Sequence, residues 1–367
     1  MLSALALAGL VSCQKNDVNV TPEIAVNPEE TGNITVTISV PEQETKTPVA
    51  SANDAGISSV QLFIFDKATG LYEKSSTRKT FQNGETTVTM PNITSRIGEK
   101  KVWAVLNNPN LTAVANEAAL LATVVDLADS TPTALAMSGM AEVEVTAGVT
   151  VTPTIEVTRL VAKVQMANIS VNFAGTGLSG AELTVQGIYL KNVVGSVNLD
   201  GSAVASPVWY NQRNAAAVAA SSAAIKALTL DGASTGTAGV LNFSSYNIDT
   251  VTGSRVYAMN RCWYVFPNAA TADNMEAFPT RTHLVIRAHL SGTDAAGTLG
   301  ESGRDTYYEV ALPGPVQRNY IYNITKVSIT GEGKSSDEDD SLTEFGTITA
   351  TVSVKGWADT EAITYNL

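Results

Sequence analysis

Two stretches near opposite ends of this chain alternate apolar and polar residues without a break. A β-strand is the regular structure that sends every second side chain to the same face. In the first stretch Ile34, Val36, Ile38 and Val40 fall on one side, with Thr35, Thr37 and Ser39 on the other. In the second, Ile348, Ala350, Val352 and Val354 oppose Thr347, Thr349, Thr351 and Ser353. Both read as half-buried strands, and their inward volumes nearly match. Thr and Val are abundant between them, favour a pleated, half-buried surface, and place the chain in a mainly β class.

Further strands are expected at Val60–Phe65, Thr86–Met90, Lys101–Leu106, Glu142–Thr146, Val149–Thr152 and Ile155–Thr158. In the second half they are expected at 159–172, Leu183–Val194, Ser254–Tyr257, Trp263–Phe266, His283–Leu290, Tyr307–Leu312 and Tyr320–Thr330. The best helix spans Asn116–Leu127, where Leu120, Val124 and Leu127 share one side and Glu117 lies in the first turn. Ala215–Leu228 is Ala-rich and reads as a short helix or a surface insertion. One set of strands closes and another begins near Val157, which marks a domain boundary.

Composition excludes several functions. A formal net charge of −12 leaves no basic face for nucleic acid. The two histidines, His283 and His289, are six residues apart on one strand, roughly 20 Å, too far to share a metal. No His-Glu-x-x-His, Cys-x-x-Cys or spaced Ser-His-Asp set occurs, and the acidic run Asp337–Asp340 lacks EF-hand spacing. Cys262 lies in a strand-like run and reads as a buried, inert thiol. The chain is therefore read as a non-enzyme that needs no cofactor and no metal.

The N-terminus carries an address. An apolar run from Met1 to Val11 ends in Ser12-Cys13 and resembles a bacterial lipoprotein signal peptide, with Cys13 the lipidated residue. About ten apolar residues suit a signal h-region and are too few for a span. The basic n-region is missing, so the start is expected a few residues upstream of Met1. A polar tether follows to Glu30. Between Lys15 and Lys67 the single basic residue is Lys46, directly after the first alternating strand. A trypsin-like protease cutting between Lys46 and Thr47 would release lipid, tether and strand together. Loss of that strand would open an apolar groove with unpaired edge amides. The strand formed by Ile348, Ala350, Val352 and Val354, with Trp357 just beyond, has the pattern to fill such a groove in another copy. Head-to-tail addition of this kind makes a fibre.

These segments together resemble the fimbrillin family of Bacteroidales, the subunits of type V pili. The lipobox Leu10–Cys13, Gly32–Val36, Val60–Asp66, Val102–Asn107, Met137–Gly139, Arg159–Val164, Tyr264–Asn268, Arg318–Ile324, Val352–Val354 and Trp357 carry the likeness by their order and spacing. The resemblance implies two tandem transthyretin-like β-sandwich domains with short helical insertions. It divides the chain into a signal peptide (1–13), a propeptide with the plug strand (14–46), an N-terminal domain (47–157), a C-terminal domain (158–346) and a donor-strand region (347–367). It further implies an outer-membrane lipoprotein precursor, an arginine-specific or trypsin-like processing protease, and assembly with copies of itself and related pilus subunits into an extracellular, adhesive fimbrium. The family's usual cleavage residue is Arg, whereas the matching position here is Lys46, which favours a Lys-tolerant protease. A rival reading is a surface lipoprotein that binds glycans on an exposed platform drawn from Trp209, Tyr210, Trp263 or Trp357.

Overall fold

The computed structural model describes residues 30–41, 54–82, 84–109, 111–131, 133–210, 230–231, 241–248, 255–273, 280–292, 297, 299–300, 302–335, 347–359 and 361–367. Cys13, Lys46, Thr47, the Ala-rich stretch 215–228 and the acidic run 337–340 lie outside them.

The described residues form a mainly β structure. Its first half contains β1 (Thr31–Ser39), β2 (Ser59–Asp66), β3 (Tyr72–Ser75), β4 (Lys79–Thr80), β5 (Thr87–Arg96) and β6 (Gly98–Leu106). It continues through β7 (Val124–Asp126), β8 (Met137–Val145), β9 (Thr150–Val151), β10 (Thr154–Glu156) and β11 (Thr158–Arg159). One sheet runs β10-β1-β5, with β9 also on β1; the other runs β11-β8-β6-β2-β3, with β4 also on β2. A single core joins these layers: Ile34, Val36 and Ile38 meet Val60, Leu62 and Ile64 of β2 and Val102 and Ala104 of β6. The alternation in β1 is thus cashed in as one fully buried face.

The second half contains β12 (Ala162–Val171), β13 (Ala181–Lys191), β14 (Val193–Val194), β15 (Ser196–Asn198), β16 (Trp209–Tyr210) and β17 (Leu230–Asp231). It ends with β18 (Leu241–Ile248), β19 (Arg255–Val265), β20 (His283–Gly292), β21 (Arg304–Ala311), β22 (Tyr320–Ile329), β23 (Ile348–Gly356) and β24 (Ile363–Asn366). Its two larger sheets run β17-β19-β12-β22-β23-β24 and β18-β13-β20-β21. The second core extends into the first half through Phe63, Phe65, Leu120 and Leu127. This is why β2 is buried on both faces. The halves are also stitched by β7 pairing with β15 and by Ser138 Oγ donating to the Leu199 carbonyl at 2.9 Å.

Two expectations need correction. The helix covers only Glu117–Leu121, capped by Asn116, whose side chain accepts from the Ala119 amide. Val124, assigned to its apolar side, instead starts β7 with Val125, because β-branched residues gain more from pairing with β15 than from another helical turn. The strand expected to stop at Met90 runs on to Arg96 through Pro91. Pro91 sits where the β1–β5 register shifts between Ile34 and Val36, a bulge that spares it a ladder hydrogen bond.

An ionic cluster ties β13, β20 and β21. The His283 ring is buried between two carboxylates, with Nε2 2.8 Å from Asp273 Oδ1 and Nδ1 3.2 Å from Glu309 Oε2. Burial pushes the His283 pKa down, but hydrogen bonds to Asp273 and Glu309 outweigh it and hold the pKa above 6.5. Burial opposes ionisation of Glu309, yet His283, Lys191 and Lys334 bring its pKa down to about 2. Burial opposes ionisation of Asp273 too, and His283 and Arg281 hold it well below the usual carboxylate range. A raised His283 pKa contributes stability below the unfolded value of 6.5, lost as pH rises through the folded one. The depressed carboxylates contribute above their ordinary range and lose it as pH falls through their folded values. The thermal midpoint should therefore be highest between roughly pH 5 and pH 6.5. His283→Gln should flatten the alkaline decline; thermal melts from acid to alkaline pH on both proteins check this.

Candidate functional site: a strand-filled groove and the C-terminal hairpin

β1 is a central strand held on both edges. It runs antiparallel to β5 from Thr31↔Arg96 to Ser39↔Thr87 and parallel to β9 and β10, with Ile38 beside Ile155. Its amides alternate sides: Asn33 donates to Val149 at 2.9 Å, Thr37 to Pro153 at 3.1 Å, and Val40 to Thr86 at 2.9 Å. Ile34, Val36 and Ile38 are 0% exposed and Val40 is 5% exposed. Four such side chains contribute roughly 6–12 kcal/mol at about 1.5–3 each. The strand is thus strongly held, although only the segment 42–53 links it to the rest of the chain.

The second alternating strand sits elsewhere. β23 lies between β22 and β24, paired with β22 from Tyr320↔Gly356 to Ile329↔Ile348. Ala350 and Val352 are buried in the core of the second half, while Ile348 and Val354 are half-buried. Among the described residues β24 pairs with β23 alone and forms the edge of the sheet. Its Ile363 is 65% exposed, and Tyr365 and Leu367 are exposed too.

Trp357 is buried at a junction that sequence reasoning did not foresee. The Arg159 guanidinium carbon lies 4.4 Å from the centre of its ring, the Lys163 ammonium lies 5.7 Å from it, and Tyr264 stacks at 6.3 Å. Arg159 donates from Nε to the Asp54 carbonyl at 3.0 Å and from Nη1 to the Pro41 carbonyl at 3.3 Å. One guanidinium therefore holds both ends of the segment that carries Lys46. The Asp54 carboxylate accepts from Lys163 Nζ at 2.8 Å and from the Tyr264 hydroxyl at 3.2 Å. Burial first, and the Asp54 charge second, push the Tyr264 pKa well above 10.0, so its hydroxyl stays a donor. The run Arg159–Val164 gave a signal, since two basic residues inside an otherwise apolar strand need buried partners. Those partners, however, come from positions about a hundred or more residues away.

The aromatic platform of the rival reading is not assembled. Trp263 is 0% exposed, Trp357 4% and Tyr210 7%. Trp209 is half-buried. Cys262 is buried and unpaired by any disulfide.

Lys163→Met should cost about 3 kcal/mol, because it leaves the largely buried Asp54 carboxylate with only Tyr264 and Arg159 nearby. The urea midpoint should fall without a change in slope.

No family model and no curated protein sequence matches the chain. Solved structures do. A candidate cell adhesion protein from Parabacteroides distasonis is 15% identical, with a TM-score of 0.59, over 91% of this chain and 99% of that one. A candidate cell adhesion protein from Bacteroides eggerthii is 17% identical, with a TM-score of 0.55, over 90% and 98%. A fimbrilin from Porphyromonas gingivalis is 16% identical, with a TM-score of 0.57, over 89% and 98%. At this identity the likeness is one of backbone architecture, and the chain has the fimbrilin fold.

Proposed function

We propose that this chain is a structural subunit of a cell-surface fimbria, made as a lipoprotein precursor and polymerised by donor-strand exchange after proteolysis. In this reading the two halves are tandem transthyretin-like β-sandwich domains that meet near Val157. Cys13 carries the lipid that delivers the precursor to the outer membrane. β1 plugs its own groove and keeps the precursor monomeric. A trypsin-like protease cuts after Lys46, and the C-terminal strand of a neighbour enters the vacated groove. The subunit has no catalytic role and takes no cofactor; its partners are copies of itself and related pilus subunits.

The observation that carries this reading is the placement of β1. It is a central strand with one face fully buried, yet it precedes the core it completes and is joined to it by one segment containing the single basic residue between Lys15 and Lys67. A strand with only a stabilising task gains nothing from such an attachment. Its removal would leave β5 and β9–β10 as two facing edges, a template for an incoming strand. Residues 1–46 hold 6 acidic and 2 basic side chains, so cleavage would take the formal charge from −12 to −8 and lower the repulsion between subunits. The fold shared with a fimbrilin supports the same reading.

Limited trypsin treatment of residues 14–367 should remove everything up to Lys46 and give a ladder of oligomers on size exclusion, whereas Lys46→Ala should stay monomeric. Cleaved protein that remains monomeric would overturn the proposal. Outright deletion of 347–367 is a poor test, because it removes Ala350, Val352 and Trp357 from the core and so changes monomer stability together with assembly.

A further inference from the structure

Strand exchange leaves one cleft of the second half without a task. It encloses about 620 Å³, within the size range of small-molecule sites. One wall comes from β15, β16 and the loop between them, where Val197 and Trp209 line the cavity. The other comes from 267–269, just after β19, and 315–318, just before β22. These two segments are tied to each other: the Asn268 amide donates to the Val316 carbonyl at 3.0 Å, and the Val316 amide donates back to the Asn268 carbonyl at 2.9 Å. The cleft is therefore preformed, with Ala203, Ala205 and Gln317 on its exposed rim.

Two of its polar side chains are already engaged. Asn268 Nδ2 donates to the Thr280 carbonyl at 2.9 Å and to Thr282 Oγ1 at 3.1 Å, while its Oδ1 accepts from the Ala270 amide at 3.0 Å. Ser196 Oγ accepts from the Val208 amide at 2.9 Å. Arg318 differs. Its Nη1 is buried, and none of the described residues accepts a hydrogen bond from it. Asp200 acts on it through space, and Asp200 Oδ1 already accepts from the Ser202 amide at 2.8 Å. Burial pulls the Arg318 pKa below its ordinary value and Asp200 offsets only part of this, yet a guanidinium stays charged at neutral pH. Gly201 (φ +82°) leaves the room that the side chain occupies: a Cβ there would lie 2.6 Å from Arg318 Cδ and 3.0 Å from Nη1. A cation with an unanswered donor, between walls of Val, Ala, Pro and Trp, is unfavourable until something supplies an acceptor.

We infer that this cleft binds a small monocarboxylic acid with an apolar body, its carboxylate on Arg318 Nη1 and its hydrocarbon between Trp209 and the wall of Pro267 and Pro315. The charge of the ligand follows from the guanidinium, which pairs with a carboxylate through charge-assisted hydrogen bonds. Its apolar body follows from the walls. A sugar would bring several hydroxyls and a peptide would bring amides, each in need of a partner, and Asn268 and Ser196 have theirs already. A hydrocarbon needs none and gains by leaving water. The inference stands apart from strand exchange, because the cleft is complete in the uncut subunit.

Calorimetric titration of the uncut protein with decanoate, decanol, glucuronate and an acetylated apolar tripeptide with a free carboxyl end tests the assignment. Decanoate should saturate at one per chain and bind about tenfold or more tighter than each of the other three, as expected when a charge-assisted hydrogen bond adds to an apolar contact. Arg318→Met keeps an apolar stem over Gly201 and removes the charge. It should melt no lower than wild type and bind decanoate and decanol within about twofold of each other. Ala205→Trp, placed on the exposed rim, should fill the cleft and weaken decanoate about tenfold or more while the melt stays unchanged. No saturable binding of decanoate, equal binding of acid and alcohol by wild type, or tighter binding of the tripeptide or glucuronate would overturn the assignment. So would an Arg318→Met protein that keeps the preference for the acid, or undiminished binding to Ala205→Trp.

Discussion

The structure depends on the burial of four alternating side chains from a strand that is almost separate from the rest of the chain. Ile34, Val36, Ile38 and Val40 fill the space between the two sheets of the first half, and the β1 backbone closes the gap between β5 on one edge and β9–β10 on the other. Without β1, β5 would lose its antiparallel partner and the pieces β9 and β10, only two and three residues long, would have nothing to pair with. Short strands of this kind are held in place by a central neighbour and hold little by themselves. The stability of the first half is thus concentrated in one strand that segment 42–53 joins to the domain it completes.

The Trp357 junction places that element in contact with the other end of the chain. Arg159 reaches the carbonyls on both sides of segment 42–53 while its guanidinium lies against the indole of Trp357, the residue that follows β23. Lys163 and Tyr264 complete the packing around Asp54. Charged groups this deep are retained only where every one is paired, since an unpaired buried charge costs several kcal/mol. The junction therefore makes the end of β1, the start of the second half and the C-terminal hairpin one cooperative unit, not three independent ends. The β7–β15 pairing and the shared core around Phe63 and Phe65 join the halves a second and third time.

Much of this architecture was legible as periodicity. Strands whose alternation is clean, such as β1, β2 and β23, appear within a residue or two of their expected bounds. Misreadings arose where a distant partner overruled local pattern. Val124 has helical spacing with Leu120 and Leu127, but β15, some seventy residues later, takes it and Val125 as a strand. Pro91 reads as a terminator until the bulge opposite Thr35 is known. β19 reads as two strands because its alternation breaks where the β12 register shifts between Met166 and Asn168.

The sequence by itself determined the β class, the four inward side chains of β1, their likeness to a segment near the far end, and Lys46 as the single basic site between Lys15 and Lys67. These are properties of spacing and residue type, and they survive without coordinates. Tertiary structure alone decided that β1 is central and not peripheral, that Trp357 packs on the arginine that clamps both ends of segment 42–53, and that Gly32 is a glycine because a turn more than a hundred residues later leaves no room for a Cβ. Periodicity reports which face of an element is buried; it carries no information about what buries it, because that is fixed by chain crossings between residues far apart in sequence.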